Sequence, residues 1–190
     1  MVAQPGQENL LTRSIQHQRT WGQRYRRQIN RNNRITDCQR QGFLAMTECK
    51  NFLSAIKARG AIFAPPVQTQ QLSLTNAALQ RGRFAMLPDF LIQIYTITGG
   101  LNIGSGYIFG PNSVSYTPPF VIPSIIKVNN EIGPLGKTAG KTIFGRNDLF
   151  WFAYDAFGVC YMLDNLTLRA VKKYSDPYKA IGDCLIAGKL

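Results

Sequence analysis

Between Lys141 and Val171 four short apolar runs follow one another: Lys141–Phe144, Leu149–Tyr154, Val159–Leu163 and Leu166–Val171. Runs this brief, rich in aromatic and β-branched residues and punctuated by Gly, Asn and Asp, read as strands joined by turns. Asp155-Ala-Phe-Gly158 is a short hairpin connection, with Gly158 available for a positive φ. Leu149-Phe-Trp-Phe-Ala-Tyr154 is apolar at every position, the pattern of a strand covered on both faces. An antiparallel meander is therefore expected in the second half of the chain, and the rest of the chain has to supply its cover.

Helical periodicity supplies it. Phe52, Leu53, Ala55 and Ile56 make a short amphipathic helix over Thr47–Arg59, with Thr47 placed as N-cap and Gly60 as terminator. Ala64-Pro-Pro66 breaks any continuation, and Leu72, Leu74, Ala77, Ala78 and Leu79 suit another turn or two before Gly82. Pro88 fits a first helical turn, where its missing N–H costs nothing, and Phe90, Ile94 and Ile97 follow at i, i+4 and i+7. Leu91 and Tyr95 thicken that face, the Ile and Thr content would also suit a strand, and Gly99-Gly100 ends the element. Leu101–Pro123 alternates apolar residues with Gly and Pro, leaving Tyr107-Ile-Phe109 as a brief strand, and Pro123–Glu131 suits a helix or a strand. Asp176-Pro177 opens a terminal helix carrying Tyr178, Ile181, Leu185 and Ile186. N-terminal helices, a central antiparallel or mixed sheet and a closing C-terminal helix define an α+β chain.

The net charge of +12 is unevenly placed. Residues 1–42 carry +6, residues 43–83 carry +4, and residues 84–190 only +2. The first segment is rich in Gln, Arg and Asn, and its Trp21, Tyr25, Ile29 and Ile35 are too sparse to bury a face. Residues 1–45 are thus expected to be a disordered or non-native extension, with Met46 as a sensible start of the domain spanning 46–190. The competing use of the extension is nucleic-acid binding: Arg19, Arg24, Arg26, Arg27, Arg31 and Arg34 on phosphates, Trp21 and Tyr25 on bases.

Several chemistries find no footing. The only histidine is His17, and Cys38, Cys49, Cys160 and Cys184 form no Cys-x-x-Cys pair, so zinc spacing is absent. No histidine base stands beside a nucleophile in the domain. Gly100–Gly106 has the glycines of a dinucleotide loop, but Tyr107-Ile-Phe-Gly-Pro follows where a helix is required. Gly-Lys-Thr occurs at 136–138 and 140–142, yet Glu131 and Leu135 stand where a phosphate loop needs its first glycine. No secretory leader pattern opens the chain and no apolar run reaches the ~18 to 20 residues of a membrane span. The expectation is a cytoplasmic protein without enzymatic activity, cofactor or metal.

Leu87-Pro-Asp-Phe-Leu-Ile-Gln-Ile-Tyr-Thr-Ile-Thr-Gly-Gly100 resembles the Leu-Pro, apolar helix, Asn-Gly or Gly-Gly signature of the SUKH superfamily. Ile143-Phe-Gly-Arg-Asn-Asp-Leu-Phe-Trp-Phe-Ala-Tyr-Asp-Ala-Phe-Gly158 and the strand after it are similar to the hairpin of that superfamily, and Tyr174–Leu185 to its last helix. The likeness runs from about Met46 to the C-terminus. Gly99 replaces the usual Asn, and Leu101–Pro123 lacks the acidic residues often found after the first helix. The resemblance implies a binding module of the kind found in Smi/Knr-type cell-wall regulators and bacterial immunity proteins. Its partner would then be a protein, a toxin domain such as a nuclease. Asp148, Asp155 and Asp164, placed near one end of the meander, are the acidic contact patch expected on that reading.

Overall fold

The computed structural model describes residues 46–115, 121–133, 138 and 140–186. The chain divides into the units Met1–Thr47 and Glu48–Leu190, and the second carries the fold. The arginines from Arg19 to Arg34, His17 and Cys38 lie outside the described residues.

The meander is the spine of the unit. Strands β6 (Lys141–Arg146), β7 (Phe150–Asp155), β8 (Cys160–Asp164) and β9 (Ala170–Tyr174) pair in sequence order, all antiparallel. The sheet continues on the other side of β6 through β3 (Gly106–Ile108), β2 (Leu101–Ile103) and β1 (Ile62–Phe63), giving seven strands in the order β1-β2-β3-β6-β7-β8-β9 among the described residues. A separate two-stranded ribbon joins β4 (Val114–Ser115) to β5 (Val121–Ile122). The sheet is therefore purely antiparallel, the simpler of the two expected forms.

Five helices surround it among the described residues. Residues 46–58 are helical (α1), followed by α2 (Thr69–Arg81), α3 (Asp89–Ile97), α4 (Ile125–Ile132) and α5 (Pro177–Ile186). The ambiguous runs at 88–97 and 123–131 both resolve as helices. Thr47 is not the cap of α1, because residue 46 is already helical. The last strand also differs from expectation. Leu166–Leu168 belong to a hairpin loop, with Leu166 85% exposed and Leu168 at φ 55°, so β9 starts at Ala170. Asp164 causes this: its Oδ1 accepts from the amides of Leu166 and Thr167 and from the Thr167 hydroxyl, closing a turn that apolar content alone does not reveal.

The core lies between sheet and helices. Phe90, Leu91, Ile94 and Tyr95 of α3 are buried, and the Phe90 ring packs edge-on to Phe144 and Tyr154. Helix α5 runs against β2, β3 and β6 to β9. It comes close because two glycines make the floor beneath it. A Cβ on Gly106 would lie 2.6 Å from the Cys184 carbonyl oxygen, and one on Gly145 would lie 2.7 Å from the Tyr107 carbonyl oxygen and 3.0 Å from the Cys184 sulfur. At Gly106 all the nearest atoms are backbone, and at Gly145 the nearest is the Tyr107 carbonyl, which cannot yield as a flexible side chain would. Gly145→Ala is expected to lower stability by about 1–3 kcal/mol, read as a lower urea midpoint at unchanged slope.

Candidate functional site

One surface gathers the residue types that anchor protein contacts. Tyr107 of β3, Arg146 of β6 and Trp151 of β7 sit side by side, since the register sets Tyr107 opposite Arg146 and Arg146 opposite Trp151. The Arg146 guanidinium carbon lies 5.9 Å from the Tyr107 ring centre and 5.7 Å from that of Trp151. Such contacts attract a cation to the ring faces and restrict its side chain. Phe109 packs on Trp151 from the end of β3, with ring centres 6.4 Å apart.

A β-bulge aims Arg146 at this surface. Ile143 pairs with Ala153 but Gly145 pairs with Phe152, so Phe144 is the extra residue. Strict alternation would put Phe144 and Arg146 on one face. Instead Phe144 packs against Tyr154 in the core, while Arg146 lies across from Trp151, an odd number of positions from Tyr154 and so on the opposite face.

Helix α4 raises one wall of the site. Ser124 caps it, its Oγ accepting from the Lys127 amide at 3.0 Å. Asn129, buried, ties the helix to the bulged strand: its Nδ2 donates to the carbonyls of Ile125 and Ile143, and its Oδ1 accepts from the Ile143 amide. The side-chain amide thereby replaces a missing sheet neighbour for Ile143. Lys127, Val128, Glu131 and Ile132 of α4 then line a concavity of ≈ 670 Å³ with Tyr107, Phe109, Val121, Pro123, Arg146 and Trp151. Lys127 and Glu131 form an exposed ion pair at 4.0 Å. Val121 is 45% exposed on the ribbon.

The three aspartates singled out from the sequence are not brought together. Asp164 lies opposite Phe150 at one end of β7, near Asp148, whereas Asp155 ends β7 at the other end, opposite Lys141. Two of them are occupied by turns. Asp155 accepts from the amides of Phe157 and Val159 and from the Tyr161 hydroxyl. Burial alone would raise its pKa, but these hydrogen bonds and the charge of Lys173 hold it below the usual carboxylate value. Asp164, bonded to Thr167 and Leu166, is likewise lowered. The β6–β7 and β8–β9 loops lie at the same end of the meander and expose Leu149 and Leu166 there.

The glycine loop at 100–106 and the second Gly-Lys-Thr, 140–142, resolve as sheet and turn, while Gly136 and Lys137 of the first lie outside the described residues. Gly104 turns the β2–β3 hairpin at φ 55°, and Lys141-Thr142 begin β6 rather than a helix. Cys49, Cys160 and Cys184 are buried thiols. Burial pushes Cys160 up to about 12 and raises the other two as well, so none is a ready nucleophile. Among the described residues no group of three His, Cys, Asp or Glu is placed to hold a metal, and no helix is long and apolar enough to cross a membrane.

A second concavity of ≈ 510 Å³ is lined by a hydrogen-bonded cluster of Lys172, Tyr174 and Asp183. Asp183 of α5 accepts from Lys172 at 2.7 Å and from the Tyr174 hydroxyl at 2.6 Å. Burial pushes the tyrosine up and the carboxylate adds to it, whereas for Asp183 the Lys172 and Tyr174 bonds outweigh burial and lower it. Both shifts deepen the ordinary protonation states, which suits a structural clamp between α5 and β9 rather than proton transfer.

A scan against protein-family models finds no match, and a search among curated proteins finds none either. The trio Tyr107, Arg146 and Trp151 is hidden from sequence reasoning because Tyr107 is distant along the chain and the bulge leaves no mark in the pattern. The legible signal is local: Arg146 and Trp151 flank Asn147-Asp-Leu-Phe150, a spacing that faces them across a hairpin.

Asn129→Leu leaves the Ile143 amide and carbonyl without partners and should cost about 3 kcal/mol in chemical denaturation. For Asp183, a folded-state pKa below the ordinary carboxylate value of 3.8 means that its contribution is complete above that value and is lost as pH falls through the lowered one. Asp183→Asn should therefore reduce stability at neutral pH and flatten its fall below about pH 4, measured by urea midpoints across pH.

Proposed function

We propose that this chain is a non-enzymatic protein-binding module of SUKH-like fold, a bacterial cytoplasmic immunity protein that neutralises a toxin domain. The observation carrying the binding reading is the Tyr107–Arg146–Trp151 group in a concavity whose walls combine apolar residues with Lys127 and Glu131. Tyr, Trp and Arg are the residues that dominate binding energy at protein interfaces, where they seat in desolvated pockets. The SUKH-like part of the reading is supported by the order of elements: Leu87-Pro-Asp opens α3, Asp155-Ala-Phe-Gly158 turns the central hairpin, and α5 closes the sheet.

In this reading inhibition is steric. The partner loses access to its own substrate because the concave face and the apolar loop tip at Leu149 and Leu166 cover it. No group of the site needs a shifted pKa for that task.

Co-expression with the toxin domain encoded beside this protein tests the proposal. The wild type should restore growth. Arg146→Ala and Val121→Ser, both at exposed positions, should abolish or sharply weaken protection while shifting stability by no more than about 0.5 kcal/mol. Protection unchanged in both variants would move the contact surface elsewhere. Binding to a single-stranded oligonucleotide that falls steeply with salt, and is lost on changing Arg24, Arg26 and Arg27 to Gln, would instead make the protein a nucleic-acid binder.

A further inference from the structure

Resting on the protein-binding reading of the same surface, we infer that the concavity receives an acidic segment of the partner, one of whose carboxylates pairs with Arg146. The charge pattern of the lining supports it. Lys127 and Glu131 lie 4.0 Å apart and offset each other's charge, but Arg146 has neither a carboxylate nor a hydrogen-bond acceptor for its guanidinium among the described residues. Among those residues the site thus carries one unmatched positive charge, set beside two rings.

A guanidinium presents a planar fork of donors that matches a carboxylate with two parallel hydrogen bonds. Holding it between Tyr107 and Trp151 removes much of the ordering cost beforehand. Phe109, Val121, Val128 and Ile132 keep the surroundings apolar, which strengthens a charge pair formed there. The exposed Val121 offers a landing place for an apolar side chain next to the acid.

A nucleic acid fits this lining poorly. Phosphate tracking needs several cations in a row, whereas here a single free guanidinium shares the surface with Glu131. The ring faces that bases would stack on already lie against Arg146.

The experiment is a selection of random twelve-residue peptides displayed on phage against the full chain, run in parallel on Arg146→Gln. Wild-type protein should enrich peptides that join Asp or Glu to an apolar residue. Replacing that acid by its amide, or using Arg146→Gln, should weaken binding by about tenfold or more, with Arg146→Lys recovering part of it. Tryptophan fluorescence in a Trp21→Phe background follows the titration through Trp151. Enriched peptides without acid, binding both proteins equally, would overturn the inference. If those peptides still depend on Trp151, tested with Trp151→Ala, the surface remains a protein-binding site and only its acidic preference fails. Peptides indifferent to both residues, or no enrichment at all, would remove both readings. A twelve-residue oligothymidylate that displaces the peptides through Arg146 would replace the acidic peptide with a nucleic acid.

Discussion

The close seating of α5 on the sheet is the constraint on which the rest of the structure depends. Gly106 and Gly145 leave no side chain between the helix and strands β3 and β6, and Cys184 uses the space by directing its thiol at the carbonyls of Tyr107 and Arg146, each at 3.4 Å. These are the two residues whose side chains meet on the far face. The helix therefore braces from behind the pair whose side chains face the concavity in front. A thiol is a weak donor with one proton, which the carbonyls of this register pair share. The Lys172–Asp183–Tyr174 clamp secures the other end of the same seating, against β9.

Bulge and helix α4 solve a related problem. The strand β6 has to send Phe144 into the core and Arg146 outward, which two residues of ideal strand cannot do. The extra residue at Phe144 permits it, at the cost of an irregular ladder beside Ile143. On the other side of β6, where β3 does not reach Ile143, Asn129 matches the Ile143 amide and carbonyl with its own amide group. Since Asn129 belongs to α4, this match also positions the wall that bears Lys127 and Glu131. A buried polar network of this kind is stable only when each of its members is satisfied, and here both ends of the side chain are.

Much of the architecture is legible in the residues. The meander, the helix after Pro88 and the terminal helix after Asp176 announce themselves through period, turn residues and caps, because each is decided by neighbours within a few positions. What stays hidden depends on distant contacts. Strands β1 and β2 are two and three residues long, and each depends on the next strand inward, β1 pairing with β2 and β2 with β3. Leu166 and Leu168 look like strand residues because hydrophobicity, not the hydroxyl and amide ligands of Asp164, dominates the pattern. The three aspartates draw notice by their charge, and the structure uses two of them as turn formers. The aromatic–guanidinium stack needs both the register of three strands and a bulge, neither of which composition reveals.

Charge has two different physical uses in a chain like this. The +6 of residues 1–42 is a dense basic stretch, able to influence approach to an acidic partner only within about a Debye length, ~8–10 Å in physiological salt. Its effect would fall on association rate and fade with added salt. Arg146 acts at contact, in a partly apolar concavity where screening is weak and geometry decides which acid fits. Its effect would fall on dissociation. On the proposed reading the two contributions would separate by their salt dependence. If the proposed acidic segment binds there, selectivity follows from the Arg146 guanidinium beside Tyr107 and Trp151 and not from the summed charge of residues 84–190, which is only +2.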